Sequence, residues 1–191
     1  MRNRFAMFAG ALLVSILSLG YAGADDMKKD PPKPSDKPLD FALKDTDGKD
    51  VKLADLKDKV VVLEWTEDGC PAIEGCLKQG TMAKLVKDYG SKVVFIGVCT
   101  GTKSSLEVMK KFKETNKIAY PIAMDPTGEV GKMFGAKTTP HMFIVKNGKK
   151  LYDGAIDDAK TEQKGVNYVA KALDEILAGK PVTTASTTPY G

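Results

Sequence analysis

Val60–Cys76 reads VVVLEWTEDGCPAIEGC. Its first six residues, apolar but for Glu64, form a run of the kind a strand buried on both faces shows. The run breaks at Asp68-Gly69 and a Cys-Pro pair follows. Pro71 has the preset φ and missing N–H that suit a first helical position, so the sequence predicts a helix with Cys70 at its N-terminal end. Unpaired backbone N–H groups and the helix dipole favour negative charge there, which is the setting that turns a thiol into a nucleophilic thiolate. The plainer reading of a single cysteine is a small buried hydrophobe. The order strand, turn, Cys-Pro, helix favours the nucleophile.

Working outward, Lys92–Cys99 (KVVFIGVC) is a second apolar strand, and the segment between the two strands carries helical spacing over Pro71–Tyr89, ended by Gly90. Ser104-Ser105 caps a helix bearing Leu106, Met109 and Phe112. Tyr120–Met124 is extended, and Glu129–Phe134 is a short helix closed by Gly135. His141–Val145 and Lys149–Asp153 form a hairpin around Asn147-Gly148. Asp157 or Asp158 leads into a last helix with Val166, Val169, Ala172, Leu173, Ile176 and Leu177 as its stripe. Upstream, Leu39–Leu43 and Val51–Leu53 flank Asp47-Gly48 as an entry hairpin, and Ala54–Lys57 is at most one helical turn. This order gives an α/β domain with a mixed sheet and helices on both faces. Right-handed crossovers bring the ends of the two apolar strands, and with them Cys70 and Cys99, to one edge.

The 191 residues are 42% hydrophobic, enough for one domain over 39–179 with accessory segments. Residues 1–24 read as a secretory signal: Arg2 and Arg4, the apolar run Phe5–Gly20, then Ala22-Gly23-Ala24. That run is too short to span a bilayer, so no stable membrane anchor is expected after cleavage, and the protein is expected to be periplasmic or secreted. Residues 25–38 are a charged, Pro-rich linker, and 180–191 are a Ser/Thr-rich tail, extended or disordered. The formal charge is +4, but both arginines lie in the signal and the lysines are interspersed with acids. Such a surface is a solvated one and does not point to nucleic acid. Three cysteines in an exported chain are an odd number, which suits redox chemistry, or one bridge plus a spare thiol, better than a disulfide framework.

The element order and three local matches resemble the thioredoxin fold, and in particular the redoxins allied to alkyl hydroperoxide reductases and thiol-specific antioxidants, over about Pro38–Gly179. EWTEDGCP resembles the segment in which an aromatic strand end leads to the attacking cysteine, which places Cys70 as nucleophile and Trp65 beside it as a packing residue that shields the thiol. Thr138-Thr139-Pro140 resembles the cis-proline loop that offers backbone groups to a bound substrate chain. Glu64 stands where thioredoxins carry a buried acid, the position of a proton shuttle. DTDGKDVKL and TPHMFIVKNGKKLYDG look like exported redoxins. The resemblance implies a thioredoxin-like three-layer α/β/α domain with an N-terminal β-hairpin, acting as a thiol-disulfide oxidoreductase. Its partners are protein disulfides or hydroperoxides and an external thiol or thioredoxin-type electron donor; no cofactor and no metal is implied.

The residues also depart from that pattern. Where a C-x-x-C enzyme has its second thiol, this chain has Ile73; Cys76 lies six residues from Cys70, about 9 Å along a regular helix, beyond the ~7 Å Cα limit of a disulfide. Peroxiredoxins use a Thr three residues before the cysteine and a thiolate-stabilising Arg, but position 67 is Glu67, and lysine does not reproduce arginine's fork. Glu67 and Asp68 oppose a thiolate at Cys70. Resolution by Cys99, by Cys76 or by an external thiol stays open, with Cys99 ahead of Cys76. Two other classes remain: a soft-metal site from Cys70, Cys76 and His141, which could take Cu(I), and a binding module without turnover.

Overall fold

A computed structural model of the protein describes residues 38–158 and 165–191. The expected signal, nearly all of the linker and the stretch 159–164 lie outside them.

Val60–Trp65 forms β3 and is buried at all six positions. It is an interior strand, with neighbours covering both of its edges. β4 (Val93–Thr100) pairs parallel to it, with Trp65 opposite Val98, and β6 (His141–Lys146) pairs antiparallel on the other side, with Trp65 opposite His141. β5 (Ile122–Asp125) extends the sheet beyond β4, followed by the entry hairpin β1 (Ala42–Asp45) and β2 (Asp50–Lys52); β7 (Lys149–Gly154) closes the other end. The seven-stranded order is β2-β1-β5-β4-β3-β6-β7. The β6–β7 hairpin turns at Asn147 and Gly148, both with positive φ, as a two-residue Asn-Gly loop requires.

Strand alternation sorts the core into two layers. Val60, Val62, Phe95, Met142 and Ile144 face α2 (Thr81–Tyr89) and α5 (Tyr168–Leu177). On the same side, Cys99 and Ile122 meet α1 (Pro71–Gln79) through Ile73 and α3 (Leu106–Thr115) through Met109 and Phe112. Val61, Leu63, Trp65, Ile96, Val98 and Phe143 face the opposite way, onto α4 (Glu129–Phe134), the entry hairpin and a 3-10 turn at Leu53–Leu56. Helices therefore cover both faces of a mixed sheet.

Several sequence expectations are corrected. The helix over Pro71–Tyr89 is two helices, broken at Gly80, whose left-handed backbone (φ 67°) lets its N–H cap α1 through Cys76 and Leu77. The apolar spacing runs through this break, so periodicity alone does not reveal it. The last helix starts at Tyr168 behind Asn167, whose side chain accepts from the Ala170 N–H, so the Asp157/Asp158 start is displaced; Val166, assigned to its stripe, is exposed. Leu106 is also exposed, because it occupies the solvent side of α3's first turn while Met109 and Phe112 are buried. Ser105 caps α3 by accepting from the Val108 N–H.

Candidate functional site

The sequence signal at Cys70 becomes local structure directly. Cys70 is the N-cap of α1 with extended backbone (φ −80°, ψ 119°), Pro71 is the first helical residue, and the Cys70 carbonyl accepts the Glu74 N–H. The side chain is not spent on capping, so the thiol is available to a partner outside the helix. It meets the loop before β6: Cys70 Sγ donates to the Thr139 carbonyl oxygen at 3.0 Å, and the Thr139–Pro140 bond is cis. Cys70 is buried, at 8% exposure.

Beneath the helix lies a buried acid. Glu64 points from β3 into the α1/α2/α5 layer and is 4% exposed; Tyr120 Oη donates to its Oε2 at 2.5 Å. Burial lifts the Glu64 pKa to about 7, against a smaller lowering by the Tyr120 hydrogen bond. Tyr120 was not identified in the sequence, because its partner is 56 residues away and no local pattern links them.

The other two cysteines are buried and free. Cys76 packs with the α2/α5 layer, and burial pushes its thiol up to about 12, helped by the charges of Glu64 and Asp157; a hydrogen bond with Tyr190 acts the other way. Cys99 packs in one apolar cluster with Cys70 and Ile73, and burial pushes it up to about 11, with Glu67 and Asp125 adding to the shift and a Ser104 hydrogen bond opposing it. α1 is a regular helix across Cys76, so the spacing argument against a direct Cys70–Cys76 bridge applies to the folded chain.

Trp65 is placed elsewhere. It lies in the opposite layer, 5.3 Å from the Phe134 ring and 5.0 Å from Phe143, and its Nε1 donates to Thr100 Oγ1. Glu64 and Trp65 are adjacent, so a strand sends them to opposite faces, and only Glu64 shares the layer of Cys70. Alternation was the available signal. His141 is buried with both ring nitrogens engaged: Nδ1 accepts from the Lys137 N–H and Nε2 is 2.8 Å from Asp153 Oδ1. A Cys70/Cys76/His141 metal set therefore lacks its third ligand, and no group of three or more His, Cys, Asp or Glu side chains suited to a metal occurs among the described residues.

A further feature of the site was invisible in the sequence. Tyr190, in the Ser/Thr-rich tail, donates its hydroxyl to Asp157 Oδ1 and packs against the core layer that holds Cys76, while Gly191 abuts the Thr139 carbonyl. No apolar periodicity marks that tail.

Among known proteins, the chain is 30% identical to the thiol-disulfide oxidoreductase ResA of Bacillus subtilis over 158 residues, which cover 78% of this chain and 83% of that protein. An uncharacterized conserved protein from Geobacillus kaustophilus superposes with a TM-score of 0.71 at 28% identity, over 80% of this chain and 87% of that one. A hypothetical protein from Sinorhizobium meliloti has the same fold, with a TM-score of 0.71 at 24% identity over 81% and 90% of the two chains. The AhpC/TSA family model matches residues 34–153. That span holds both the Cys70 helix and the cis-proline loop, and the chain accordingly belongs to the AhpC/TSA family, as a thiol-dependent oxidoreductase of the redoxin type.

Proposed function

We propose that the protein exchanges disulfides of polypeptide substrates through Cys70 as the sole attacking thiol, after export from the cytoplasm. The observation that carries this reading is the Cys70 thiol held at a helix N-terminus against the Thr139 carbonyl of the cis-proline loop. The names of the ResA relatives support disulfides over hydroperoxides as substrate. So does the immediate surrounding of the thiol: its hydrogen-bond partner is a carbonyl acceptor, and Glu67 and Asp68 precede it, so a peroxide finds little positive charge to steady its leaving oxygen. Export rests on the N-terminal sequence alone.

The cycle begins with Cys70 thiolate attacking a substrate disulfide. The substrate S–S bond breaks, a Cys70–substrate mixed disulfide forms, and the departing thiolate takes up a proton. A second thiolate then attacks the substrate sulfur of the mixed disulfide, so that this S–S bond breaks, Cys70 leaves as thiolate and a new disulfide joins attacker and substrate; a further thiol of the donor opens that bond, leaving the substrate reduced and the donor as a disulfide. Thiolate supply decides which thiol that is. At pH 7 a solution thiol of pKa about 8.5 is ionised to a few per cent, whereas one at about 11 is ionised roughly 300-fold less, and the greater basicity returns only about a factor of ten. Cys99 and Cys76 are both on the losing side, so an external thiol or thioredoxin-type donor resolves the intermediate and supplies the electrons. Glu64, with a pKa near neutrality, holds or releases the proton as charge appears above it.

The test is to react the reduced protein with a peptide disulfide and locate the adduct by mass spectrometry. A mixed disulfide at Cys70, cleared by added thiol, is the expected result; an adduct at Cys76 or Cys99 alone, or none in native protein, overturns the reading.

A further inference from the structure

The open edge of β7 is covered by the tail. Asp153 N donates to the Ala185 carbonyl at 3.0 Å and Thr187 N to the Asp153 carbonyl at 3.1 Å, so the tail pairs parallel to β7 at Asp153 and Ser186. Thr187 is seated by its side chain: Oγ1 lies 2.6 Å from Tyr152 Oη and accepts the Ala155 N–H at 2.9 Å. The docking is close enough to restrict sequence at the opposing position, since a Cβ on Gly154 would collide with Thr187 Oγ1. Beyond this anchor Tyr190 packs against the core layer that holds Cys76 and donates its hydroxyl to Asp157, and a Cβ on Gly191 would collide with the Thr139 oxygen, the same oxygen that accepts from Cys70.

We propose that Ala185–Gly191 is an intramolecular strap that occupies the polypeptide track of the thiol site and must be displaced before a substrate chain can react with Cys70. The inference rests on the disulfide-exchange reading of that site. The strap presents at the cis-proline loop what a substrate chain would present, an extended backbone closing on the Thr139 carbonyl. The two parts of the strap have different duties. Thr187 is the fixed end, buttressed by three hydrogen-bonded groups; Tyr190-Gly191 is the removable end, held by one hydroxyl and by packing. Displacement of that end uncovers the Thr139 carbonyl and the edge of Cys70 together. Extended substrates that contribute their own backbone contacts gain most, whereas compact proteins with recessed disulfides gain nothing to offset the lost strap contacts. The strap thus selects for unfolded or loop-borne disulfides.

The experiment uses the full chain with Tyr190→Ala and, separately, Gly191→Val, which leaves the Tyr190 ring in place. The modification rate of Cys70 by an aryl disulfide reagent is compared with wild type. Both variants are expected to react about tenfold faster, the population change that loss of a hydrogen bond and its packing allows. In parallel, the Tyr190 ring resonances are followed by NMR in wild-type protein before and after Cys70 is loaded with a cysteine-bearing peptide through a mixed disulfide. Movement of those resonances to random-coil positions on loading is expected. Equal Cys70 rates in wild type and Gly191→Val, together with unchanged Tyr190 resonances in the loaded wild type, overturn the strap while leaving the thiol reading intact. Failure of Cys70 to form the mixed disulfide at all overturns the thiol reading instead.

Discussion

Tyr120 Oη lies 2.5 Å from Glu64 Oε2, and this buried pair sits beneath the helix whose first turn presents Cys70. The tyrosine donates, which steadies the carboxylate, while burial works the other way and wins, leaving Glu64 half-ionised near neutral pH. A site that must take up and release a proton at each exchange step thereby carries a group whose ionisation changes in the working range.

The Glu64 shift fixes a pH dependence of stability. The folded-state value is about 7 against an ordinary 4.5, so the folded protein binds the extra proton between these limits. Stability is therefore greatest below about pH 4.5 as far as this group is concerned, and falls as pH rises towards 7, by up to about 3 kcal/mol in all. Glu64→Gln keeps the shape and an acceptor for Tyr120 but cannot ionise. Denaturant melts at pH 5 and pH 8 are expected to show the variant gaining on wild type by a few kcal/mol only at the higher pH, with its exchange rate about ten- to a hundredfold lower and its pH profile flattened near 7. A parallel shift at both pH values sinks the assignment.

Cys70→Ser removes the attacking sulfur and retains the volume and the N-cap geometry. Disulfide-exchange turnover is expected to fall at least about a thousandfold, to the uncatalysed level, with melting temperature changed little. Cys99→Ala and Cys76→Ala are expected to keep turnover within about threefold when an external thiol is saturating, because a thiol raised to about 11 or 12 supplies too little thiolate to matter at pH 7. A collapse of turnover in Cys99→Ala with the fold intact reassigns resolution to that cysteine.

Asp125 anchors the other side of the sheet. Its Oδ2 accepts from Thr100 Oγ1 and from the Gly131 N–H, both at 2.9 Å, and Thr100 in turn accepts from Trp65. The network joins β3, β4, β5 and α4 in the layer away from the thiol. Asp125→Ala strands a buried N–H and a hydroxyl, and chemical denaturation is expected to show a loss of about 2–4 kcal/mol. The rate at which Cys70 reacts with an aryl disulfide, measured in native conditions, is expected to stay within about twofold; a larger change couples the two layers.

The parts of this fold that could be read from the chain are those fixed by local chemistry. Val60–Trp65 declares itself because it is apolar at every position but Glu64, Asn147-Gly148 because the turn needs two positive φ values, and Cys70-Pro71 because proline belongs at a first helical position. What was hidden depends on distant pairing. The Gly80 break is masked by apolar spacing that continues across it, and Tyr120 meets Glu64 only once β5 and α3 are stacked. Tyr190 and Thr187 belong to a polar tail whose contacts are backbone pairing and single hydroxyls, neither of which leaves a hydrophobic signature. Trp65 is the instructive miss: proximity in sequence to Cys70 suggested a shield, and strand alternation sends the ring to the opposite layer.

The missing partner at position 73 can be restored. Cys70 is the N-cap of α1 and Ile73 lies three residues on, a separation that brings Cα atoms of a first helical turn to about 5 Å, inside the range a disulfide accepts. Ile73→Cys is expected to give a bridge between Cys70 and the introduced thiol in an oxidising glutathione buffer, reversed by dithiothreitol, and to let the protein reduce a peptide disulfide once per molecule without external thiol. The substitution also shortens a side chain that is 2% exposed and packed on Cys99 and Met109, so the reduced variant is expected to lose about 1–2 kcal/mol of stability. Peptide mapping after oxidation decides the matter. A bridge from Cys70 to position 73 places the Cys70 thiol over the first turn as described, whereas a bridge from position 73 to Cys99, with Cys70 left free, would mean that Cys70 faces away from α1 and would overturn the geometry proposed for its attack.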